Sequence, residues 1–389
     1  MSSSSSATAR RDRSASSFCD CAPERPKCGS ARLTAPAMTT NAPHCHFVMR
    51  REPRRILVVK LSSFGDIIHV TPCLRALRRG WPRAEMTMVV EKRFADLVRH
   101  DPYLDGLIEA GPPQRRPWAI WRQARETFRR FGGTPFDLAI DFQGNRKSAL
   151  WTYASGAAIK AGRGSWRPGW QLSLCPDLDR HAVIVCASIA QSIGVPVDEL
   201  APQLAVSRDD DRRVGHLLRE HGLPQGALFL ANPFSRWRSK EWALERYVET
   251  LRTIHPTNGQ PWVITGGPDE LDRAKALMQR LPDGAAVSLA GRLTLGELLC
   301  LLRRGQLMLT GDSGPMHAAA AFGVPVIALF GPTWPERTGP WGAGHRVLQA
   351  RRPPNHHAYA VDEDGVYMSA LETGTVVDAL RSVLAGAAR

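Results

Sequence analysis

The 389-residue chain has no run of about 18 uninterrupted apolar residues, so no membrane-spanning helix is expected. Its longest apolar runs, Ala318–Phe322 and Val324–Phe330, are short and bounded by Gly and Pro, and they predict a core helix and a core strand. No Cys-x-x-Cys pair occurs among eight cysteines: Cys19, Cys21, Cys28 and Cys45 lie near the N-terminus, and Cys73, Cys175, Cys186 and Cys300 are scattered. That spacing fits neither a zinc site nor a disulfide framework, and scattered thiols suit a reducing cytosol. Cys45 sits between His44 and His46, but no second ligand pair lies near enough in sequence to complete a metal site. Gly-x-Gly-x-x-Gly, Gly-x-x-x-x-Gly-Lys-Ser/Thr and His-Glu-x-x-His are all missing, which removes support for dehydrogenase, P-loop and zinc-protease readings. Asp209-Asp210-Asp211 imitates the Asp-x-Asp of metal-dependent sugar transferases. Flanked by Arg208, Arg212 and Arg213, it reads instead as a solvated helix start.

What is present begins with charge. The formal net charge is +14, of which six basic and three acidic residues place +3 in residues 1–48, leaving +11 on the remainder. A surplus of this size favours an anionic partner such as a nucleotide, a phospholipid, an acidic glycolipid or nucleic acid. No aromatic–basic RNA motif or recognition-helix pattern stands out, so nucleic acid is not the expected partner. Residues 1–48 are rich in Ser, Ala, Thr and Pro, show no hydrophobic period and are expected to be disordered. Ser2–Ser6 followed by Arg10, Arg11 and Arg13 lacks the apolar centre of a secretory signal, and Met49, just before the first strand, is the expected translation start.

From Arg55 onward strand and helix patterns alternate. Ile56–Val59, Met86–Val90 and Asp137–Asp141 read as strands, with helices over Asp66–Arg79, Phe94–Arg99, Trp118–Phe131 and from Arg146. A second series begins near 208. Its strands are Leu228–Ala231, Trp262–Thr265, Val287–Leu289, Leu307–Thr310 and Pro325–Phe330. Its helices are Arg212–His221, Lys240–Ile254, Glu270–Leu281, Leu295–Arg303 and Pro315–Phe322, with a last one over Thr375–Leu384. The alternation predicts an α/β doubly wound parallel sheet occurring twice. The expected domains are 49–205 and 206–350, joined within Pro196–Arg208, followed by a loop and helix over 351–389.

Doubly wound sheets bind ligands at the carboxyl ends of their strands, so chemistry is sought in the turns that follow them. In Lys60-Leu61-Ser62-Ser63-Phe64-Gly65-Asp66, small Ser63 and Gly65 let a substrate approach the backbone. Asp66 has two open readings, a helix cap or a general base. Gly311-Asp312-Ser313-Gly314-Pro315-Met316-His317 places a helix start after a strand, with Pro315 suited to its first turn, and the unpaired amides there with the helix dipole make an anion site. His317 reads equally as a structural histidine. In Asn232–Trp242, Ser235 and Lys240 offer a donor and a point charge to a diphosphate, and two tryptophans argue for a packed loop. After Gly266-Gly267, Glu270 suits a ribose contact or an ordinary first-turn acid.

Together, in this order, Val-Lys-Leu-Ser-Ser-Phe-Gly-Asp-Ile-Ile-His at 59–69, Asp-Phe-Gln-Gly-Asn-Arg-Lys-Ser-Ala at 141–149, Ser-Lys-Glu-Trp at 239–242, Gly-Asp-Ser-Gly-Pro-Met-His at 311–317 and Phe-Gly-Pro-Thr at 330–333 resemble the bacterial heptosyltransferase family, glycosyltransferase family 9. The resemblance covers about residues 54–345. It implies the GT-B architecture, two Rossmann-like domains facing a cleft. It also implies ADP-heptose as donor, a lipopolysaccharide inner-core acceptor at the cytoplasmic membrane face, and inversion without a bound metal or other cofactor. By matching position, Asp66 is then the catalytic carboxylate. Ser235, Lys240, Asp312, Ser313, Gly314 and His317 match the donor diphosphate site, Glu270 the ribose contact and Leu293 the adenine contact, while Ser63, Gly65, Gln143 and Lys147 face the acceptor. The sequence departs from the family in carrying no paired cysteines in 351–370, where His356, His357, Asp362 and Asp364 read as a surface loop rather than a metal cluster. Two alternatives stay open: a same-fold transferase using another nucleotide sugar, and a non-catalytic nucleotide- or nucleic-acid-binding protein. The basic stretch Arg122–Arg130 suits either an anionic lipid surface or plain solvent.

Overall fold

The computed structural model describes residues 51–387 apart from 113, 115, 131, 165–169, 171, 175, 356–358, 360, 361, 363 and 364. The expectations for the N-terminal tail with its four cysteines, for Cys175, and for His356, His357 and Asp364 lie outside the described residues.

Two six-stranded sheets, parallel throughout, carry the chain. The first is built from β1 (Arg55–Val59), β2 (Glu85–Glu91), β3 (Gly106–Ala110), β4 (Leu138–Asp141), β5 (Ile159–Arg163) and β6 (Leu172–Leu174), in the order β3-β2-β1-β4-β5-β6. The second uses β7 (Leu228–Asn232), β8 (Trp262–Ile264), β9 (Ala286–Ser288), β10 (Gly305–Gly311), β11 (Val326–Phe330) and β12 (Arg346–Gln349), in the order β12-β11-β10-β7-β8-β9. Both orders are the doubly wound one, with the direction of winding reversing between the first and fourth strands of each sheet. The helices are α1 (Phe64–Ile68), α2 (Thr71–Gly80), α3 (Pro117–Arg130), α4 (Arg146–Ala154), α5 (Ala182–Ser192), α6 (Arg208–Glu220), α7 (Leu244–Asn258), α8 (Leu271–Met278), α9 (Leu295–Arg303), α10 (Gly314–Ala321), α11 (Pro335–Thr338), α12 (Val366–Ser369) and α13 (Thr373–Ala387). None of the described helices is long and apolar enough to cross a membrane.

The central strands are apolar through their middles because helices cover both faces. Ile56, Leu57, Val58 and Val59 of β1 and Leu230 and Ala231 of β7 are fully buried. One continuous cluster joins residues of both sheets, from Ile56 and Ile67 to Met308 and Met316. A second cluster lies on the outer side of the second sheet and includes Val376, Val377 and Leu380 of α13.

The structure corrects several details. The expected helix over Asp66–Arg79 is two, α1 and α2, parted at His69–Val70 just before Pro72, whose ring disfavours continuation. Phe94–Arg99 falls in a 3-10 turn, Lys92–Leu97. Lys240 ends a separate 3-10 turn, Arg238–Lys240, and α7 starts only at Leu244. Trp242 is buried, as a packed loop requires, whereas Trp237 is substantially exposed against Tyr359. The acidic triplet does open α6, capped by Ser207, but it is not simply solvated. Asp210 pairs with Arg213, and Asp211 ties α6 to α9 through Arg303 at 2.9 Å and Arg304 at 3.1 Å. Cys73, Cys186 and Cys300 are free and buried.

Candidate active site

The reversal points of the two sheets open onto one cleft of about 980 Å³. Its walls are the turns after β1 (Ser63–Asp66), β7 (Phe234–Lys240), β8 (Gly266–Glu270), β10 (Asp312–His317) and β11 (Thr333–Thr338).

Asp66 lies in the first turn of α1 rather than capping it. Ser63 is the N-cap residue, and its backbone N–H and hydroxyl both donate to Asp66 Oδ2, at 3.1 and 2.8 Å. The other oxygen, Oδ1, lies 3.9 Å from the ammonium of buried Lys60. Although Asp66 sits deep in the cleft wall, 45% of its side chain is open to the cleft, against 5% for Lys60. Enclosure by the wall, the largest single influence, raises its pKa. The charges of Lys60 and His69 and the two bonds from Ser63 together outweigh it, so the carboxyl is held well below its usual range. Asp66 is therefore an ionised carboxylate with Oδ2 fixed by Ser63 and a side chain half open to the cleft.

Ser313 is the N-cap residue of α10, yet its side chain makes no cap bond. Its hydroxyl meets Thr310 Oγ1 at 3.0 Å and accepts from Asn232 Nδ2 at 3.4 Å. The first-turn amides of an eight-residue helix thus face the cleft without a side-chain acceptor. Lys240 donates to Asp312 Oδ2 at 2.8 Å, and the same oxygen accepts from Thr333 Oγ1 at 2.8 Å. Burial pushes the Asp312 pKa up, but the Lys240 ammonium, His317 and these bonds carry it below its usual value. Asp312 holds the Lys240 ammonium in place. Ser235 donates from its hydroxyl to the Asp312 carbonyl at 3.3 Å, and from its backbone N–H to Glu241 Oε1 at 2.9 Å. Glu270 lines the cleft, with Oε2 accepting from Gly267 N–H at 2.5 Å.

Two glycines set the distance between the halves. A Cβ on Gly65 would lie 2.3 Å from His317 Cδ2, and a Cβ on Gly314 would lie 2.4 Å from Phe64 Cγ. Each helix start thus receives a ring from the other, which brings Asp66 of the first sheet beside His317 of the second. His69 Nε2 meets His317 Nδ1 at 3.2 Å, and His181 packs edge-on to His69, ring centroids 5.4 Å apart. His181 Nδ1 accepts from Val183 N–H, so its proton sits on Nε2, which donates to the Gly339 carbonyl at 3.1 Å. Burial lowers all three pKa values, that of His317 to about 4 against an opposing pull from Asp312.

Ser63, Gly65, Asp66, Ser235, Lys240, Glu270, Asp312, Ser313, Gly314 and His317 therefore converge on one cleft. Three sequence candidates do not line it. Leu293 faces a separate recess of about 280 Å³ between α6 and α9, because it lies close before the α9 cap Thr294 and packs back on the core. Gln143 acts behind the wall, its Oε1 accepting from Leu61 and Ser62 N–H at 2.9 and 3.0 Å. Buried Asp141 supports it by accepting from Gln143 and Gly144 N–H, at 2.9 and 3.0 Å. Lys147 is exposed on the first turn of α4. Sequence reading did not single out Lys60, His181, Thr333, Arg337 or Tyr359. Lys60 alone carried a signal, a charge directly after a fully apolar strand.

The family model Glycosyltransferase family 9 (heptosyltransferase) matches residues 124–365. The chain is 30% identical over 311 residues to lipopolysaccharide heptosyltransferase 1 of Pseudomonas aeruginosa, covering 74% of this chain and 81% of that one. The chain belongs to glycosyltransferase family 9. It is a glycosyltransferase, and its two-sheet GT-B fold is shared with solved structures. A family 9 glycosyl transferase from Veillonella parvula superposes with a TM-score of 0.75 at 23% identity, over 89% of this chain and all of that one. The E. coli heptosyltransferase WaaC with ADP superposes with a TM-score of 0.66 at 22% identity, over 85% and 99%. The family match begins at residue 124, so the Lys60–Asp66 turn lies before it and its chemistry rests on the geometry given above.

Proposed function

We propose that this family 9 enzyme transfers heptose from ADP-heptose to a sugar hydroxyl of a lipopolysaccharide inner-core acceptor, with inversion and without a metal ion. The observation that carries the reading is the opposition, across one cleft, of an ionised carboxylate on the first sheet and a cationic, amide-lined helix start on the second. Its relatives' names supply the sugar and the acceptor class.

In this mechanism the donor diphosphate lies against the α10 amides and the Lys240 ammonium, with Ser235 and Ser313 beside it. Glu270 accepts from the ribose. The acceptor hydroxyl attacks the anomeric carbon from the opposite face while Asp66 Oδ1 takes its proton. The C–O bond to the diphosphate breaks, and its electron pair leaves on ADP. A carboxylate with a lowered pKa is a weak base toward a resting alcohol. Proton transfer therefore accompanies bond formation, when the attacking oxygen has become strongly acidic. Lys240 and the helix start meet the charge that develops on the leaving phosphate, the electrostatic part a metal plays elsewhere. Asp312 and Thr333 keep Lys240 aimed, and Gln143 and Asp141 hold the Asp66 turn from behind.

A lipid-anchored acceptor places the enzyme at the cytoplasmic face of a membrane. The excess positive charge suits that surface. Incubating the enzyme with ADP-heptose and truncated lipopolysaccharide acceptors in EDTA, and measuring acceptor-dependent ADP release, tests the proposal. Release only in the presence of a divalent ion would remove metal independence. Release only with another nucleotide sugar would move the enzyme to a different surface glycan.

A further inference from the structure

The Arg337 guanidinium makes no hydrogen bond or ion pair among the described residues, although it sits in the wall of the cleft and its Nη1 is buried. The hydroxyl of the next residue, Thr338, is likewise buried without a partner and lines the same wall. Every other cation of that wall except Arg236 is engaged: Arg93 with Glu91, Arg238 and Arg273 with Glu241, Lys240 with Asp312. A guanidinium whose N–H groups are in part buried and unused is costly unless something supplies an acceptor. Arg337 comes from α11 of the second half, but this end of α11 abuts the first: the Gly339 carbonyl accepts from His181 Nε2 at 3.1 Å, and the charges acting on Arg337 are led by Asp179, then Arg163 and Asp177, all from the first-sheet half. The Arg163 side chain too makes no hydrogen bond or ion pair among the described residues, and Gly144 gives it room, since a Cβ there would lie 2.9 Å from its Cγ. Two guanidiniums and a hydroxyl without side-chain partners among the described residues thus lie near the junction of the halves.

We propose that Arg337, with Thr338 and Arg163, forms a site for an oxyanion carried by the acceptor, a carboxylate or phosphate on the sugar next to the one that is glycosylated. The planar fork of Arg337 suits two oxygens of such a group, and Thr338 supplies a further donor. The first-sheet neighbours of Arg337 put the site on the acceptor side rather than on the α10–Lys240 side. An anion held between Arg337 and Arg163 bridges the two halves and draws them together over the acceptor. This site deepens the proposed function and rests on it for the identity of the ligand, but not for the existence of an anion site.

Two measurements test it. The first is steady-state transfer by wild type, Arg337→Gln, Arg337→Lys and Arg163→Gln, using an acceptor in its native form, with carboxylates methyl-esterified, and with phosphates removed. The site expects Arg337→Gln to raise the acceptor KM by about 10- to 100-fold, with donor KM unchanged and Arg337→Lys intermediate. Whichever neutralised acceptor loses the wild-type advantage identifies the group. A rise in donor KM, or an equal loss on native and neutralised acceptors, overturns the proposal, as does Asp179→Asn reproducing the Arg337→Gln loss on a neutral acceptor, which would make Arg337 an interdomain latch. The second measurement needs no turnover. Thermal unfolding with ADP saturating is followed as inorganic phosphate replaces chloride at equal ionic strength. Without phosphate, Arg337→Gln should melt about 1–3 °C higher than wild type because an orphaned charge is gone. Phosphate should stabilise wild type but not the variant. Equal stabilisation of both overturns the site even if no acceptor is ever turned over.

Discussion

Replacing Gly65 by Ala should separate the two halves of the enzyme at the catalytic turn. The new Cβ would stand 2.3 Å from His317 Cδ2 and 2.7 Å from Nε2, where ordinary contacts begin at 3.4 Å. About 1 Å of movement is needed to clear it. His317 cannot supply that by rotating, because it is buried and its Nδ1 is bound to His69 at 3.2 Å. The backbone of α1 must then move away from α10, and Asp66 moves with it. Overpacking of this kind costs about 1–3 kcal/mol, and a 1 Å displacement of a reacting group costs about a hundredfold in rate. The assays are urea unfolding and kcat/KM by ADP release. A companion variant, Gly65→Ala with His317→Ala, removes the obstacle, so the two stability losses should fall short of additivity by at least about 0.5 kcal/mol. Gly374→Ala, where no atom lies within 4 Å of the added Cβ, is the control and should be neutral or slightly stabilising. Wild-type stability and rate in Gly65→Ala would show that the close approach of α1 and α10 does not set the geometry.

Stability should fall as pH drops from about 6.5 toward 4, because His317, His69 and His181 are neutral in the fold and protonate more readily unfolded. A folded pKa below the unfolded one means that the contribution is fully present above 6.5 and lost as pH falls through about 4. For His317 alone the shift from 6.5 to about 4 is worth about 3 kcal/mol, and denaturant titrations of His317→Gln should lose that share of the slope. Asp312→Asn should cost about 3–5 kcal/mol by stranding the Lys240 ammonium, and Lys240→Met with Asp312→Asn together should cost less than the sum, as a double-mutant cycle would show. Gln143→Ala should lower kcat while leaving donor KM unchanged, since Gln143 holds the Asp66 turn through Leu61 and Ser62; a purely donor-side defect would contradict that role.

The alternation of apolar strands with helices was legible because central parallel strands bury both faces and so read as unbroken apolar runs, as in Ile56–Val59 and Leu228–Ala231. Several strands at or near the edges were not, although β9 at the edge of the second sheet was. β5 is Ile-Lys-Ala-Gly-Arg, β3 carries Gly and Glu, and β12 is Arg-Val-Leu-Gln, patterns that half-exposed loops also show. The cleft turns were legible because each combines a strand end, small residues and one charged group. What escaped were groups defined by contact between the two halves. His181 lies far from the motif segments in sequence and Arg337 just after one, and only packing brings His181 to His69 and the end of α11 against the first half. Leu293 erred in the other direction, a plausible position by order along the chain whose side chain turns into the core.

The central claim is that Asp66 removes the acceptor proton at a carboxylate-to-cation cleft. ADP release from ADP-heptose, dependent on a truncated lipopolysaccharide acceptor and measured in EDTA for wild type beside Asp66→Asn, tests it most directly. The expected result is metal-independent turnover by wild type, a loss of about a hundredfold or more in Asp66→Asn, and ADP affinity unchanged between the two. Turnover in Asp66→Asn equal to wild type would contradict it.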